Sequence, residues 1–465
     1  MTSPNVTNRP PINTYTSQHL SLIKKNDPVI FSELRGIEWV KICTQQYPEI
    51  LWLADTEVRE TQEGQATENS PYSEQLFHNK FIEFDRTIMT LRCLQLILDG
   101  GENAYQEFTA AQQSGVKLSR TSFESLHAQG TCLIKSNYMG MSELEMIQAM
   151  EASLILGDMG KSTKARETFN FYGATAPDHD DFHEEAMKIL EIYPNLCPTF
   201  DKLTPLTKKL LTQTANLAHY GHVTHLEGGP NMFFKLKQSS FLSSSPIAFR
   251  FDFFVHTCDV AGALGHVNNQ SSLVYTESSH QAMQAVMAAC KTLADSEKTE
   301  IDAYNTYLKI RADFLGLNDQ IRIDRALTRL GAMLRLFTPE DGMLLKKAVL
   351  ELDSKIQTNI FTQLDIKEDN KLERTPTYMP AVLVNLSNNL ELGATREDRI
   401  SKAVILGLPF LAKVLEKHRQ TIFKSKITPD IPLNFNLAAG VAKNTPYALL
   451  NEFTIDQEGN VCIKI

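Results

Sequence analysis

A mainly α-helical fold, closed by one small β-hairpin at the C-terminal end, is what this sequence predicts. Apolar residues recur at three- and four-residue steps along much of the 465-residue chain. Helix start and stop signals frame several of those runs, and strict alternation occurs only in the last stretch. Residues 1 to about 17 read as a polar arm, and a helix is expected over Ser32–Gln45. Thr56–Gln75 is dense in Glu and Gln and reads as a solvated loop. Phe77, Phe81, Phe84, Ile88, Leu91, Leu94 and Leu98 then mark the buried face of a helix, stopped by Gly100-Gly101. Helical signals continue through Ser142–Leu156 and Phe182–Ile192. At Thr204-Pro205 a capping hydroxyl precedes a proline suited to the first helical position, and the run that follows halts at Gly228-Gly229-Pro230. After the Ser-rich turn 239–246, helices are expected over Phe249–Leu264, Ser278–Ala294, Glu300–Phe314, Asp319–Phe337, Pro339–Leu364 and Arg396–Ile422. Phe453–Ile465 alternates around Gly459-Asn460 and reads as the hairpin.

Composition narrows the function classes. With 46 basic against 55 acidic residues the net charge is −9, so no global basic face favours duplex nucleic acid. The apolar runs fall short of the roughly 20 residues of a spanning helix, and the first twenty residues lack the pattern of a signal peptide. Seven scattered cysteines, with no Cys-x-x-Cys, suit a reducing, cytoplasmic-type compartment better than a disulfide framework.

Histidine carries the chemical signal. Seven of the 12 histidines fall between positions 179 and 266. His219, His222 and His225 follow one another at three-residue steps, so on a helix neighbouring pairs could offer imidazole nitrogens to one metal or phosphate. The segment Phe-Asp-Phe-Phe-Val-His256-Thr-Cys258-Asp259-Val-Ala-Gly262-Ala-Leu-Gly265-His266 lines His256, Asp259 and His266 along one stripe among apolar or small neighbours. A carboxylate there is costly unless it is paired or bound to a metal. Two readings stay open: a first-row divalent metal site, or a buried Asp–His pair with Gly262 and Gly265 for close helix contact. Asp313, beside Arg311, is a third candidate, with an exposed ion pair as its plain alternative.

Taken in order, His222 (or His219), Cys258-Asp259-Val-Ala-Gly and Ala312-Asp313 resemble the HD-domain superfamily of metal-dependent phosphohydrolases. The likeness covers about 110 residues, and the sequence departs from the family pattern at Cys258, where the family has His before the Asp. The resemblance implies a multi-helix bundle of HD-like type and a divalent metal (Mn, Fe, Zn or Mg). His222, His256, Asp259 and Asp313 would bind it, with His219 near. Asp259, His225 and His266 would serve in catalysis and proton transfer. Lys235, Lys237 and Arg250 would steady the phosphate of a small phosphorylated substrate, a nucleotide among the candidates. The expected organisation is an arm at 1–17, a helical region at 18–200, the HD-like core at 201–335, a second helical region at 336–452 and the hairpin at 453–465.

Three functions therefore stand as expectations: a metal-dependent phosphohydrolase, a catalytically inactive HD-like protein that senses a ligand or binds metal, and a helical interaction protein with structural histidines. Asp178–Glu185 reads as the acidic start of a helix, His78 with Glu83 and Asp85 as a wet helix face, and His280 as an accessory ligand. No phosphate loop, Gly-x-Ser-x-Gly elbow or His-Glu-x-x-His motif occurs.

Overall fold

The computed structural model describes residues 28–31, 34–55, 67–176, 179–215, 217, 220–365, 375–425 and 432–464. The expected arm and most of the Thr56–Gln75 loop lie outside them, as does His219. The chain is mainly helical, with one two-stranded antiparallel sheet near its C-terminus. No described helix is long and apolar enough to cross a membrane. Two compact units form: residues 1–217 with 246–280, and residues 218–245 with 281–465.

In the first unit the Ile82–Asp99 helix is central, with thirteen of its side chains buried on every side of the helix. Gly100 ends it with φ +64°, a backbone conformation that favours glycine, and a new helix runs over Gly101–Phe108. The Pro246–Gly262 helix packs against it at very short range. A Cβ at Gly262 would stand 2.5 Å from the Thr90 backbone nitrogen, and one at Gly265 would stand 2.4 Å from the Asp85 carbonyl oxygen. The close contact foreseen for these two glycines is therefore present. The Arg120–Ile134, Glu143–Gly157 and Pro205–Thr214 helices complete the packing. Ser142 and Glu145 form a reciprocal cap for the second of these, and Thr204 caps the third with Pro205 in its first turn.

This unit buries carboxylates as well as hydrocarbon. Glu151 is 0% exposed. It accepts hydrogen bonds from the Ile30 amide at 3.0 Å and from the Tyr47 hydroxyl. Gln95 Nε2 donates to the Ile30 carbonyl at 2.7 Å, and Trp39 Nε1 donates to the Val29 carbonyl at 3.2 Å. These polar ties fix the Val29–Phe31 turn against the core.

The second unit is built from the Glu300–Phe314, Arg322–Met333, Pro339–Leu350, Ser354–Leu364, Met379–Asn388, Arg396–Ser425 and Asn436–Asn444 helices. Leu330, Met333, Leu345, Leu383, Val404 and Leu411 belong to its core. The hairpin pairs Phe453–Ile455 with Val461–Ile463 in the register Phe453↔Ile463. Asn434 joins its edge, donating to the Gly459 carbonyl and accepting from the Val461 amide, each at 2.9 Å.

Boundaries differ from the sequence reading in informative places. Tyr72–Phe77 is a separate short helix, because His78 turns left-handed at φ 55° before the Ile82–Asp99 helix starts. Pro339–Leu364 is two helices, since the Asp353 side chain accepts from the Lys355 amide and caps a new start. The helix that starts at Pro205 ends at Thr214, and among the described residues between there and Leu226 only Tyr220–Thr224 is helical.

Candidate functional site

The break after Thr214 changes the histidine argument. His222 sits on a five-residue helix and His225 lies just beyond its end. His222 Nδ1 lies 2.5 Å from Glu227 Oε2. The other oxygen of Glu227 accepts the Met379 amide at 2.9 Å. Arg329 locks the same turn, donating to the Leu226 carbonyl at 2.7 Å and to the Glu227 carbonyl at 2.5 Å. His222 is thus engaged by a buried carboxylate within the second unit. His225 is pushed down to about 3, first by burial and then by the charges of Arg335 and Arg311. Its ring is neutral at physiological pH and a weak base.

Asp313 is 59% exposed and accepts from Lys309 Nζ at 2.7 Å, one helical turn away. It is the exposed ion pair rather than an inward ligand. Lys237 uses its ammonium on three backbone carbonyls, those of Leu293, Asp295 and Lys298, at 2.8–3.4 Å. Lys235 and Arg250 are exposed, and Arg250 Nε donates to the Pro246 carbonyl of its own helix at 3.3 Å. His256 and His266 are partly buried in the first unit. Cys258, between His256 and Asp259, is fully buried, and burial pushes its thiol up, so it is a protonated, apolar filler. Among the described residues no group of three or more His, Cys, Asp or Glu could hold a metal ion. His222, held by Glu227, and Asp313, held by Lys309 in solvent, do not fit the shared metal centre that the HD resemblance implies. Asp313→Ala is expected to leave the melting temperature within about 1 °C of wild type, as an exposed pair should. A large loss on thermal unfolding would return Asp313 to the list of buried ligands.

Asp259 is different. It projects from the Pro246–Gly262 helix into a cluster of charged side chains in the first unit that the sequence reading did not assemble. Glu83 and Arg86 stand one turn apart at the start of the Ile82–Asp99 helix, with Arg86 Nη1 3.1 Å from Glu83 Oε2. Asp158 caps the end of the Glu143–Gly157 helix, and the tight turn Met159–Lys161 brings Lys161 back to it. Lys161 Nζ bridges Asp158 Oδ1 at 2.7 Å and Glu83 Oε2 at 3.0 Å. The side chains of these four residues are between 11% and 22% exposed, so the cluster is largely desolvated.

Electrostatics single out one member. Burial alone would raise the Asp158 carboxyl, but Lys161 and then Arg86 hold it below the usual range. Burial opposes the charge on Lys161, and Asp158 with Glu83 overcomes it and raises the ammonium. Asp259 moves the other way: burial, then the charge of Asp158, raise it, and Arg86 and Lys161 only partly offset this. Three carboxylates face two cations, and Asp259 is the one with no hydrogen bond or ion pair among the described residues. Arg86 has spare capacity beside it. Only Nη1 of its guanidinium is bonded, to Glu83, and Nε is buried with no partner among the described residues. The Nε–Nη2 edge, the fork that grips an oxyanion with two parallel bonds, is therefore unused.

The sequence alone suggests a wet helix face for Glu83 and does not single out Arg86, Asp158 or Lys161. The available signal was Asp158 and Lys161 at a three-residue spacing, closing an otherwise apolar helix.

The model of a family described as a family of unknown function (DUF6829) matches residues 40–435. No curated protein and no solved structure matches the chain.

Proposed function

We propose that this chain, which belongs to that family of unknown function, is a hydrolase of a small phosphate ester or anhydride whose acid–base residue is Asp259. The observation that carries the reading is the Asp259 carboxylate, with no hydrogen bond or ion pair among the described residues, within the charge field of Arg86, whose Nε has no partner among them either. The guanidinium edge would take two phosphoryl oxygens, and Lys161 would add a second positive charge. Asp259 would take a proton from the water that attacks phosphorus, while the ester oxygen leaves and gains a proton from solvent. Charge that builds on the phosphoryl oxygens would then face Arg86 in a largely desolvated setting. Two cations in one largely desolvated cluster suit a phosphate group, a nucleotide among the candidates. No step of this reading passes through a metal. Seven free thiols, five of them buried, support a reducing compartment.

The test is turnover of a panel of phosphomonoesters and nucleotides. Asp259→Asn is expected to lower kcat/KM by about 100-fold or more. Arg86→Lys, which keeps the charge and loses the fork, is expected to cost about 10- to 100-fold. Asp313→Ala should retain full activity. A wild-type protein inert across the panel, or an Asp259→Asn variant as active as wild type, would overturn the hydrolase reading. An inert protein that a phosphate ester stabilises through Arg86 would instead be the ligand-sensing relative.

A further inference from the structure

We propose that the second unit carries its own binding site for a phosphate-type oxyanion, built on Arg335 with Arg311 behind it. Arg311, on the Glu300–Phe314 helix, is 0% exposed. Its guanidinium stacks on Phe337, 4.0 Å from the ring centroid, and donates one hydrogen bond, from Nη2 to the Leu336 carbonyl at 2.7 Å. Nε and Nη1 are buried with no partner among the described residues. The nearby carboxylate in sequence, Asp313, is occupied by Lys309. Burial dominates the Arg311 environment, and no carboxylate offsets it. A desolvated guanidinium without a counter-ion is a standing cost to the fold unless something supplies the missing negative charge.

Arg335 is a second, independent pointer. It follows the Arg322–Met333 helix with φ +58°, in the left-handed turn that closes the helix end. Its amide donates to the Ala332 carbonyl at 3.1 Å, and the Leu336 amide donates to the Gly331 carbonyl at 2.8 Å. Glycine is the favoured residue at such a position, and a branched-Cα residue there costs energy that glycine avoids. Arg335 is exposed, and its side chain makes no hydrogen bond or ion pair among the described residues. Both guanidinium groups act on the same His225 ring, which is itself tied to the Ala332 backbone. One end of the helix therefore gathers an accessible cation, a buried cation and a neutral imidazole, and no ion pair to a carboxylate is formed by either cation among the described residues. A dianion docked on Arg335 would meet the field of Arg311 through low-dielectric surroundings, where it is poorly screened.

The site is separate from the Asp259 cluster, and the experiment keeps the two apart. Inorganic phosphate, and in parallel a nucleoside monophosphate, is titrated into the full-length protein by calorimetry against chloride of equal ionic strength. Wild type is expected to bind at least one of them and to melt higher in its presence. Arg335→Gly should melt no lower than wild type without ligand, because glycine suits the left-handed turn, yet bind at least tenfold more weakly at this site. Arg86→Lys should retain the binding that Arg335→Gly loses. Stronger binding of the monophosphate than of phosphate supports an esterified ligand, and the reverse supports the free ion. The proposal falls if wild type shows no phosphate-specific binding, if Arg335→Gly binds like wild type, or if the binding disappears in Arg86→Lys instead.

Discussion

Gly262→Ala is expected to destabilise the protein by about 3 kcal/mol, a large effect for the addition of one methyl group. In an ordinary helix the same change would gain up to about 1 kcal/mol in helix propensity, so the clash has to outweigh that gain. It does, because the new Cβ would lie 2.5 Å from the backbone nitrogen of Thr90 and 2.5 Å from its Cγ2. A side-chain tip could swing aside; a backbone atom in the middle of the Ile82–Asp99 helix can move only if the two helices part. The displacement would also reach Asp259, one turn earlier on the same helix, and change its spacing from Arg86. Denaturant unfolding should show the loss of stability, and turnover should fall with it. A Gly262→Ala protein as stable as wild type would mean that the two helices are not in the close contact described.

Glu151 is expected to make stability depend on pH in the direction opposite to that of a paired surface carboxylate. Burial raises its carboxyl from 4.5 to about 8, although the hydrogen bonds from Tyr47 and the Ile30 amide pull it down. The folded protein therefore keeps a proton that the unfolded chain gives up between about 4.5 and 8. Stability contributed by this group is complete below the lower value, falls as pH rises through the window and is flat above it. The slope from one such group is about 1.4 kcal/mol per pH unit. Asp85, raised from 3.8 to about 7 by burial, adds to the same trend. Comparison with Glu151→Gln isolates the Glu151 share, since the amide keeps an acceptor oxygen and carries no charge. That variant should equal or exceed wild type at pH 8 and lose its advantage at pH 5. Glu151→Ala should lose about 3 kcal/mol at pH 5, because the Ile30 amide and Tyr47 hydroxyl would be left without an acceptor, and the gap should narrow as pH rises. Parallel pH profiles for wild type and Glu151→Gln would refute the assignment.

What could be read in advance was what local chemistry decides. The cap at Thr204-Pro205, the stop at Gly100, the hairpin around Gly459-Asn460 and the small residues at 262 and 265 all depend on a few neighbouring side chains. The site depended on more than that. Periodicity placed His219, His222 and His225 on one helix, but the chain breaks its helix after Thr214, and a spacing of three then says nothing about direction. Asp313 obeys helical spacing too, and the same spacing supplies Lys309 as its partner. The cluster around Asp259 is drawn from three distant stretches, 83–86, 158–161 and 259, so no single window of sequence contains it. Glu83 and Arg86 look like a solvated face because one turn of a helix cannot reveal that Lys161 will cover it.

The order in which the chain builds its units bears on how it is made. At a ribosome the first 217 residues emerge without the Pro246–Gly262 segment that covers the Ile82–Asp99 helix. Until the chain has been synthesised as far as Gly262, about 45 residues later, that apolar surface has no native cover and is a target for chaperones and proteases. Neither unit corresponds to one uninterrupted stretch of coding sequence. Cutting the gene at residue 217 would therefore yield a fragment that lacks a wall of its own core, together with the helix that carries Asp259.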